Sequence, residues 1–293
     1  MTITTAMIKE LRERTGAGMM DCKRALIEAG GDIEAAIEEM RKKGAAAAEK
    51  KAGRIAAEGV IASALADDGS SAVLVEINCE TDFVAKDDGF KTFANAIAKR
   101  VLNDAPADID ALNAMPLEDG GESVEAVRQE LITKIGENMS VRRFQRMEAD
   151  GGVIGGYLHG TRIGVLVRLS SGDAALGKDI AMHIAASRPM CLSAADMPAD
   201  TLTREKEIYM AQAQDSGKPE NIVEKMVEGR MRKFLKENTL AGQIFVKDPD
   251  QTVGKLLEAA GAEAVEMVRF EVGEGLEKRS DDFVAEVMAQ AGA

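Results

Sequence analysis

The chain has 293 residues, 45% of them apolar and 30% charged, which is enough for about two domains with cores of their own. Its 37 basic residues against 50 acidic ones give a net charge of -13, whereas affinity for nucleic-acid backbones comes from positive charge, so no direct nucleic-acid binding is expected. No apolar run approaches the ~20 residues of a membrane helix, so no membrane association is expected either.

Residues 1–54 predict a compact module of three helices followed by a linker. Apolar residues recur at helical spacing along one face of each predicted helix. Gly30 and Gly31 end the second helix, and Asp32 is placed to cap the N-terminus of the third. Residues 42–53 are rich in alanine and lack a clear apolar face, so we expect a helical or flexible linker there.

The middle of the chain contains an internal repeat of strand, hairpin turn, strand and helix. The second strands, residues 72–78 and 164–169, both contain the letters VLV followed by a charged and an aliphatic residue. Corresponding valines of the paired strands lie 13 residues apart in the first copy and 12 in the second. The sequence therefore predicts an α+β fold with two repeated subdomains, each built on an antiparallel sheet.

The remaining elements are a helical hairpin, a strand and a final helix. Residues 201–239 read as two helices around a Gly-Lys-Pro turn, residues 265–272 as a strand, and residues from 281 onwards as an amphipathic helix. The expected domains are an N-terminal module resembling ubiquitin-associated domains, with its linker (1–54), a first core subdomain (55–148), the first part of a second core subdomain (149–200), an inserted coiled-coil-like helical hairpin (201–239), the remainder of the second core subdomain (240–275) and a C-terminal helix module (276–293).

Cysteine and histidine usage favours a binding protein in a reducing compartment. The three cysteines, Cys22, Cys79 and Cys191, form no CxxC pair and are odd in number, which does not suit a disulfide framework. The first residues contain no apolar signal core, so a cytoplasmic location is expected. Only His159 and His183 are present, without an HExxH, GxSxG or phosphate-loop motif, and His183 lies among apolar residues typical of a core.

The most unusual segment is NCETDFVAKD at residues 78–87, directly after the strongest predicted strand. Thr81 or Asp82 could cap a helix, and that interpretation would bury Phe83 in the core. The corresponding position of the second repeat has the residues SSGD at 170–173, without an aromatic side chain, so the shared fold does not require a buried Phe83. Both interpretations remain open from the residues alone.

Five long segments together resemble bacterial translation elongation factor Ts. They are LRERTGAGMMDCKRAL at 11–26, NCETDFVAKD at 78–87, HGTRIGVLV at 159–167, HIAASRP at 183–189 and EKMVEGRMRKF at 224–234. The resemblance covers nearly the whole chain, and its segments occur in the family's order, which makes it far more specific than a single short motif.

The resemblance implies guanine nucleotide exchange on elongation factor Tu, a GTPase that the factor meets in its GDP-bound and nucleotide-free states. It also implies that Thr81, Asp82, Phe83 and Val84 form an intruding loop, in which Asp82 and Phe83 wedge between helices of the GTPase and displace its magnesium ion. No covalent bond is made in such a reaction, so the resemblance implies no catalytic residue, metal or cofactor on the factor itself.

The resemblance further places Arg12, Met19 and Met20 against the G domain of the GTPase, and His159 near the same region. From the residues alone, Arg12 is equally well a solvated charge and His159 a solvated turn residue. Met19 and Met20 follow a glycine-containing loop and suit either the core or an adaptable binding surface.

Two other functions are compatible with parts of the sequence. An adapter would dock a helix or peptide on the N-terminal module without releasing nucleotide. An enzyme would use Cys79 with Asp82, but a nucleophilic thiol requires a nearby histidine or positive charge, and we expect Glu80 and Asp82 to raise its pKa.

Overall fold

The computed structural model describes residues 3–15, 17–214 and 219–277. The chain divides into two compact units. The first contains the residues up to 62, residues 75–144 and the segment from 271, and the second contains residues 63–74 and 145–270. The fold is α+β, as predicted. No helix of the described residues is long and apolar enough to cross a membrane.

The first unit begins with the predicted three-helix module, formed by α1 (Thr5–Thr15), α2 (Met19–Glu28) and α3 (Ile33–Lys51). The Asp32 side chain accepts a hydrogen bond from the Ala35 amide at 3.0 Å and so caps α3, as predicted. The core of the three-helix module consists of five buried side chains, namely Leu11, Cys22, Ala25, Leu26 and Ala36.

A sheet and four helices follow in chain order: β1 (Glu58–Leu65), β2 (Ser71–Cys79), α4 (Asp82–Lys86), α5 (Asp88–Asp104), α6 (Ile109–Ala114), α7 (Val124–Ile135) and β3 (Met139–Glu148). The strand order is β1-β2-β3, and every residue of the central strand β2 is buried. Hydrogen bonds join Glu80 to Asn138 and Glu76 to Arg142, so residue numbers fall along β3 as they rise along β2, and the two strands are antiparallel.

Residues 42–51 of the linker predicted at 42–53 belong to α3, so the helical alternative is correct there and this part is packed. Gly44 and Ala48 are buried, and α3 packs against α7. A Cβ atom at Gly44 would lie 3.2 Å from the Thr133 hydroxyl oxygen, so a glycine at this position lets the two helices approach closely. The alanine-rich composition that removed an obvious apolar face also makes this close packing possible.

The second copy of the repeat contains β4 (Val153–His159), β5 (Ile163–Leu169) and α8 (Ala174–Ser187). After it come the hairpin helices α9 (Ala199–Gln214) and α10 (Glu220–Asn238), and then β6 (Ile244–Phe245), β7 (Asp248–Thr252), α11 (Val253–Ala259) and β8 (Ala264–Glu271). Strand order β4-β5-β8 repeats the order of the first sheet, which confirms the predicted internal repeat. β4 pairs antiparallel with β5, from Val153 opposite Leu169 to His159 opposite Ile163.

His183 is the satisfied core histidine that its apolar neighbours predict. It is fully buried on α8; its Nε2 lies 3.0 Å from Oε1 of Gln243, and its Nδ1 accepts a hydrogen bond from the Val246 amide. Burial lowers the pKa of His183, so the ring is neutral at pH 7. The turn of the helical hairpin at 215–218 and the predicted C-terminal helix from residue 281 lie outside the described residues.

Candidate partner-binding site

The segment after β2 is held in place by residues far away in sequence. The Glu137 carboxylate accepts hydrogen bonds from the Thr81 amide at 3.0 Å and from the Thr81 hydroxyl at 2.7 Å. The Thr81 hydroxyl oxygen in turn accepts from the Val84 amide at 3.4 Å and caps α4. The sequence offered Thr81 or Asp82 as the cap, and the structure shows that it is Thr81. Glu137 escaped notice because 56 residues separate it from Thr81.

Helix α4 has a single turn and only one inward face. Val84 and Ala85 occupy that face and are buried. Asp87 has an extended backbone conformation and ends α4. Its side chain accepts a hydrogen bond from the Phe90 amide at 3.0 Å and so caps α5, which begins at the next residue. Phe83 therefore points outward and is 79% exposed, so the alternative that capping buries it in the core is wrong.

Phe83 is unusual among the aromatic residues of the chain. Of the eight phenylalanines, Phe283 lies outside the described residues, and Phe83 is the one exposed ring among the other seven. An acid and a base lie beside it. Asp82 pairs with Lys86 at 2.6 Å, and Nζ of Lys86 lies 5.9 Å from the centre of the Phe83 ring. The result is an apolar ring and a carboxylate displayed together on a short, fixed helix.

The Cys79 thiol is buried at the end of β2 and donates a hydrogen bond to the Thr81 carbonyl oxygen at 3.2 Å. Burial and the neighbouring Glu137 and Glu58 carboxylates raise the pKa of Cys79 to about 12. The sequence correctly predicted that the pKa of Cys79 is raised, but it attributed the rise to Glu80 and Asp82, which is wrong. A thiol with this pKa is protonated at neutral pH and is a poor nucleophile.

The N-terminal module displays a second group of the predicted residues. Arg12, Met19 and Met20 are exposed, with Met20 at 70%, so the alternative that the two methionines form the module's core is wrong. The sequence analysis missed Ile27, which is 58% exposed. It lies seven residues after Met20 and therefore on the same face of α2. An apolar residue outside the buried stripe of Cys22 and Leu26 was the signal that could have revealed it.

His159 lies in the second unit, at the end of β4, and is exposed. Its Nδ1 is 3.2 Å from the hydroxyl oxygen of Tyr157, within hydrogen-bonding distance. Tyr157 is half-buried against the core of that unit, so the histidine is attached to a fixed side chain although it stands at a turn.

The predicted residues thus fall into three groups: residues 81–84 on α4, Arg12 with Met19 and Met20 on the N-terminal module, and His159 in the other unit. Within the described part of the chain, no cluster of three or more histidine, cysteine, aspartate or glutamate residues could hold a metal ion. What these groups offer chemically is apolar contact, charge and hydrogen bonding at an exposed surface.

Comparison with known proteins shows a match of residues 80–274 to the family described as Elongation factor TS. The elongation factor Ts of Thioalkalivibrio sulfidiphilus is 62% identical over 292 residues, covering 99% of each chain. That of Methylococcus capsulatus is 60% identical over 293 residues, covering 100% of each. That of Alkalilimnicola ehrlichii is 56% identical over 291 residues, again covering 99% of each. These relatives also cover the three-helix module that precedes residue 80.

Proposed function

The chain belongs to the elongation factor Ts family of translation elongation factors, and we propose that it is a guanine nucleotide exchange factor that releases GDP from elongation factor Tu. One observation carries the proposal for how it does so: Phe83 is 79% exposed on a short helix that is fixed at both ends. A large apolar side chain held in this way contributes little to the stability of the fold but is well placed to enter a partner.

In the proposed mechanism, Thr81 to Val84 form the intruding element, which we call the wedge. Thr81 and Val84 fix it to the factor, while Asp82 and Phe83 enter between helices of the GTPase. Magnesium demands nearly ideal octahedral geometry at about 2.0–2.1 Å, so small movements of its ligands weaken its binding. Once the ion is displaced, the phosphates of GDP lose their bridge to the GTPase and the nucleotide dissociates.

The exchange requires the factor to distinguish two states of its partner. A ligand shifts an equilibrium only by its difference in affinity for the two states, so the factor must bind nucleotide-free elongation factor Tu more tightly than the GDP-bound form. By reciprocity, GDP weakens the complex by the same factor. GTP can then load into the emptied site and release the factor.

No covalent step is needed for this function, and we infer that the protein has no catalytic residue in the chemical sense. The alternative thiol enzyme finds no support in the surroundings of Cys79, because its thiol is buried and its pKa is about 12. Displacement of the ion and release of the nucleotide take place entirely within the partner's site.

The other exposed residues are proposed to hold the partner while the wedge acts. Met19 and Met20 present flexible, exposed apolar side chains suited to an adaptable interface, and Arg12 adds an exposed positive charge on the same three-helix module. His159 is proposed as a separate contact from the second unit, oriented by its hydrogen bond with Tyr157. Affinity is expected to come from these contacts and acceleration from the wedge.

The test is stopped-flow release of a fluorescent GDP analogue from elongation factor Tu at several magnesium concentrations. The natural chain is compared with Phe83→Ala, Asp82→Ala and a control, Ile55→Ala, which removes another exposed apolar side chain of the same unit. We expect the natural chain and the control to accelerate GDP release strongly, and both wedge variants to accelerate it less. The acceleration by the natural chain should be smallest at low magnesium, where little of the ion remains to be displaced. Stable binding without acceleration by the natural chain would instead support the adapter function.

A further inference from the structure

The segments after β2 and before β3 are joined by a reciprocal pair of carboxylates. Glu80, which follows β2, accepts a hydrogen bond from the Asn138 amide at 2.6 Å. Glu137, which precedes β3, accepts from the Thr81 amide at 3.0 Å and the Thr81 hydroxyl at 2.7 Å. Each segment thus contributes one carboxylate, which accepts a hydrogen bond from a backbone amide of the other segment. We call this arrangement the Glu80/Glu137 lock.

The Glu80 side of the lock is largely shielded from solvent, so water cannot readily replace its hydrogen bonds. The side chain of Glu80 is only 11% exposed, and Asn138 is buried. Burying a carboxylate is unfavourable unless it accepts hydrogen bonds, and an amide left without a partner is equally costly. Both requirements are met here, because the Thr81 amide after β2 and the Asn138 amide before β3 each donate to a carboxylate of the other segment. Loss of either carboxylate therefore leaves an amide unpaired.

The lock extends to the N-terminal module. The Asn138 side-chain amide donates to the carbonyl oxygens of Ala52, at 3.4 Å, and Arg54, at 2.9 Å, just after the end of α3. The Arg54 guanidinium in turn lies 3.4 Å from the Glu80 carboxylate. The same few residues therefore hold the exit from the three-helix module and the start of the wedge.

We propose that Glu80 and Glu137 are positioning residues for nucleotide exchange, and that through Asn138 they hold the wedge and the end of the N-terminal module as one body. This inference rests on the proposed exchange function. Because Phe83 follows Thr81 by two residues on a one-turn helix, a displacement of Thr81 moves the ring directly. Contacts made by the module then set the position from which the wedge enters, and no binding energy is spent on ordering it.

The experiment compares Glu137→Ala and Glu137→Gln with Glu38→Ala. Glutamine retains one acceptor for Thr81, alanine retains none, and Glu38 forms only a solvent-exposed pair with Lys42 on α3. Amide hydrogen exchange over residues 81–86 of the factor alone is expected to speed up most in the alanine variant, less in the glutamine variant and not at all in the control. This readout requires no partner.

In the GDP-release assay, we expect Glu137→Ala to lower the maximal rate at saturating factor by about tenfold, because a misplaced group loses rate steeply. The half-saturating concentration of factor should change by less than about threefold, because the other contacts remain. Glu137→Gln should recover part of the loss. If the alanine variant does not fold, Glu137→Gln, which keeps one acceptor and leaves the Thr81 cap of α4 in place, tests the same bond in the same two assays.

The outcomes separate the two proposals. A natural chain that fails to accelerate GDP release overturns the exchange function, whatever the hydrogen exchange shows. A natural chain that accelerates release, with Phe83→Ala impaired and both Glu137 variants as fast as the control, overturns the positioning role alone. Unchanged protection of residues 81–86 in Glu137→Ala would overturn it as well.

Discussion

Replacing Phe83 with alanine should separate stability from function. A phenylalanine side chain has roughly 200 Å² of surface to bury, at about 25 cal/mol per Å². With 79% of the residue exposed, only about 40 Å² is buried in the free factor, which limits the loss of folding free energy to about 1 kcal/mol. Burial of the remaining ~160 Å² in elongation factor Tu has a ceiling of about 4 kcal/mol.

We propose that Phe83 is a hot spot of the interface, a class of side chain whose truncation costs about 2 kcal/mol or more, so we expect the second-order rate of GDP release to fall by about 30-fold or more in Phe83→Ala. Chemical denaturation of the free factor gives the folding part, and stopped-flow release gives the functional part. Ile55→Ala serves as the control for loss of an exposed apolar side chain. A destabilisation of 3 kcal/mol or more, on the order of a core substitution, would show that Phe83 packs inside and would refute the reasoning.

Three further predictions concern other parts of the first unit. Glu76→Gln should destabilise the protein by roughly 3 kcal/mol in denaturant titrations, because it breaks a fully buried carboxylate's pairs with Arg142 and Arg143. Burial opposes ionisation of Glu76, but hydrogen bonds from the Gly273 amide and the two arginines outweigh it and lower the pKa of Glu76. The contribution of Glu76 to the free energy of unfolding should therefore be complete above about pH 4.3, the pKa of the unfolded state, and should decline as the pH falls through the lower pKa of the folded state. The glutamine variant should lack this decline. Cys79 should resist alkylation by iodoacetamide at pH 8 in the native protein, since a pKa of about 12 leaves roughly one thiol in ten thousand ionised, and prompt modification would contradict its burial. Met20→Ala should leave the free energy of unfolding within about 0.5 kcal/mol of the natural chain while weakening the nucleotide-free complex in calorimetry; equal affinity would remove Met20 from the interface.

Much of the fold follows from local patterns in the sequence. Asp32 caps α3, and the valine-rich strands β2 and β5 recur at the same place in both repeats, because capping and strand periodicity depend on residues close together in the chain. Residues 42–51 were harder to interpret, because packing of small residues such as Gly44 against α7 leaves no apolar periodicity to detect. The helical conformation of residues 42–51 could be recognised only from their packing against α7.

The candidate site was predictable only in part. The neighbouring residues indicated a cap at Thr81 or Asp82. The direction of Phe83 depends on how α4 packs, and two opposite interpretations were open until the structure placed Val84 inward. Glu137 had no local signal at all, because its role depends on β2 and β3 being adjacent. Long-range pairs of this kind require the fold before they can be recognised.

The rigidity of the wedge bears directly on how an exchange factor can prefer one state of its partner. A flexible loop could adapt to the closed, GDP-bound GTPase as well as to the open one, and equal affinity for both states would shift nothing. A ring on a one-turn helix, capped by Thr81 and held by Glu137, cannot adapt in this way. In the proposed mechanism we expect such a ring to fit the nucleotide-free GTPase better than the GDP-bound one, so the hydrogen bonds that fix the wedge in the free factor would contribute to the difference in affinity on which release depends.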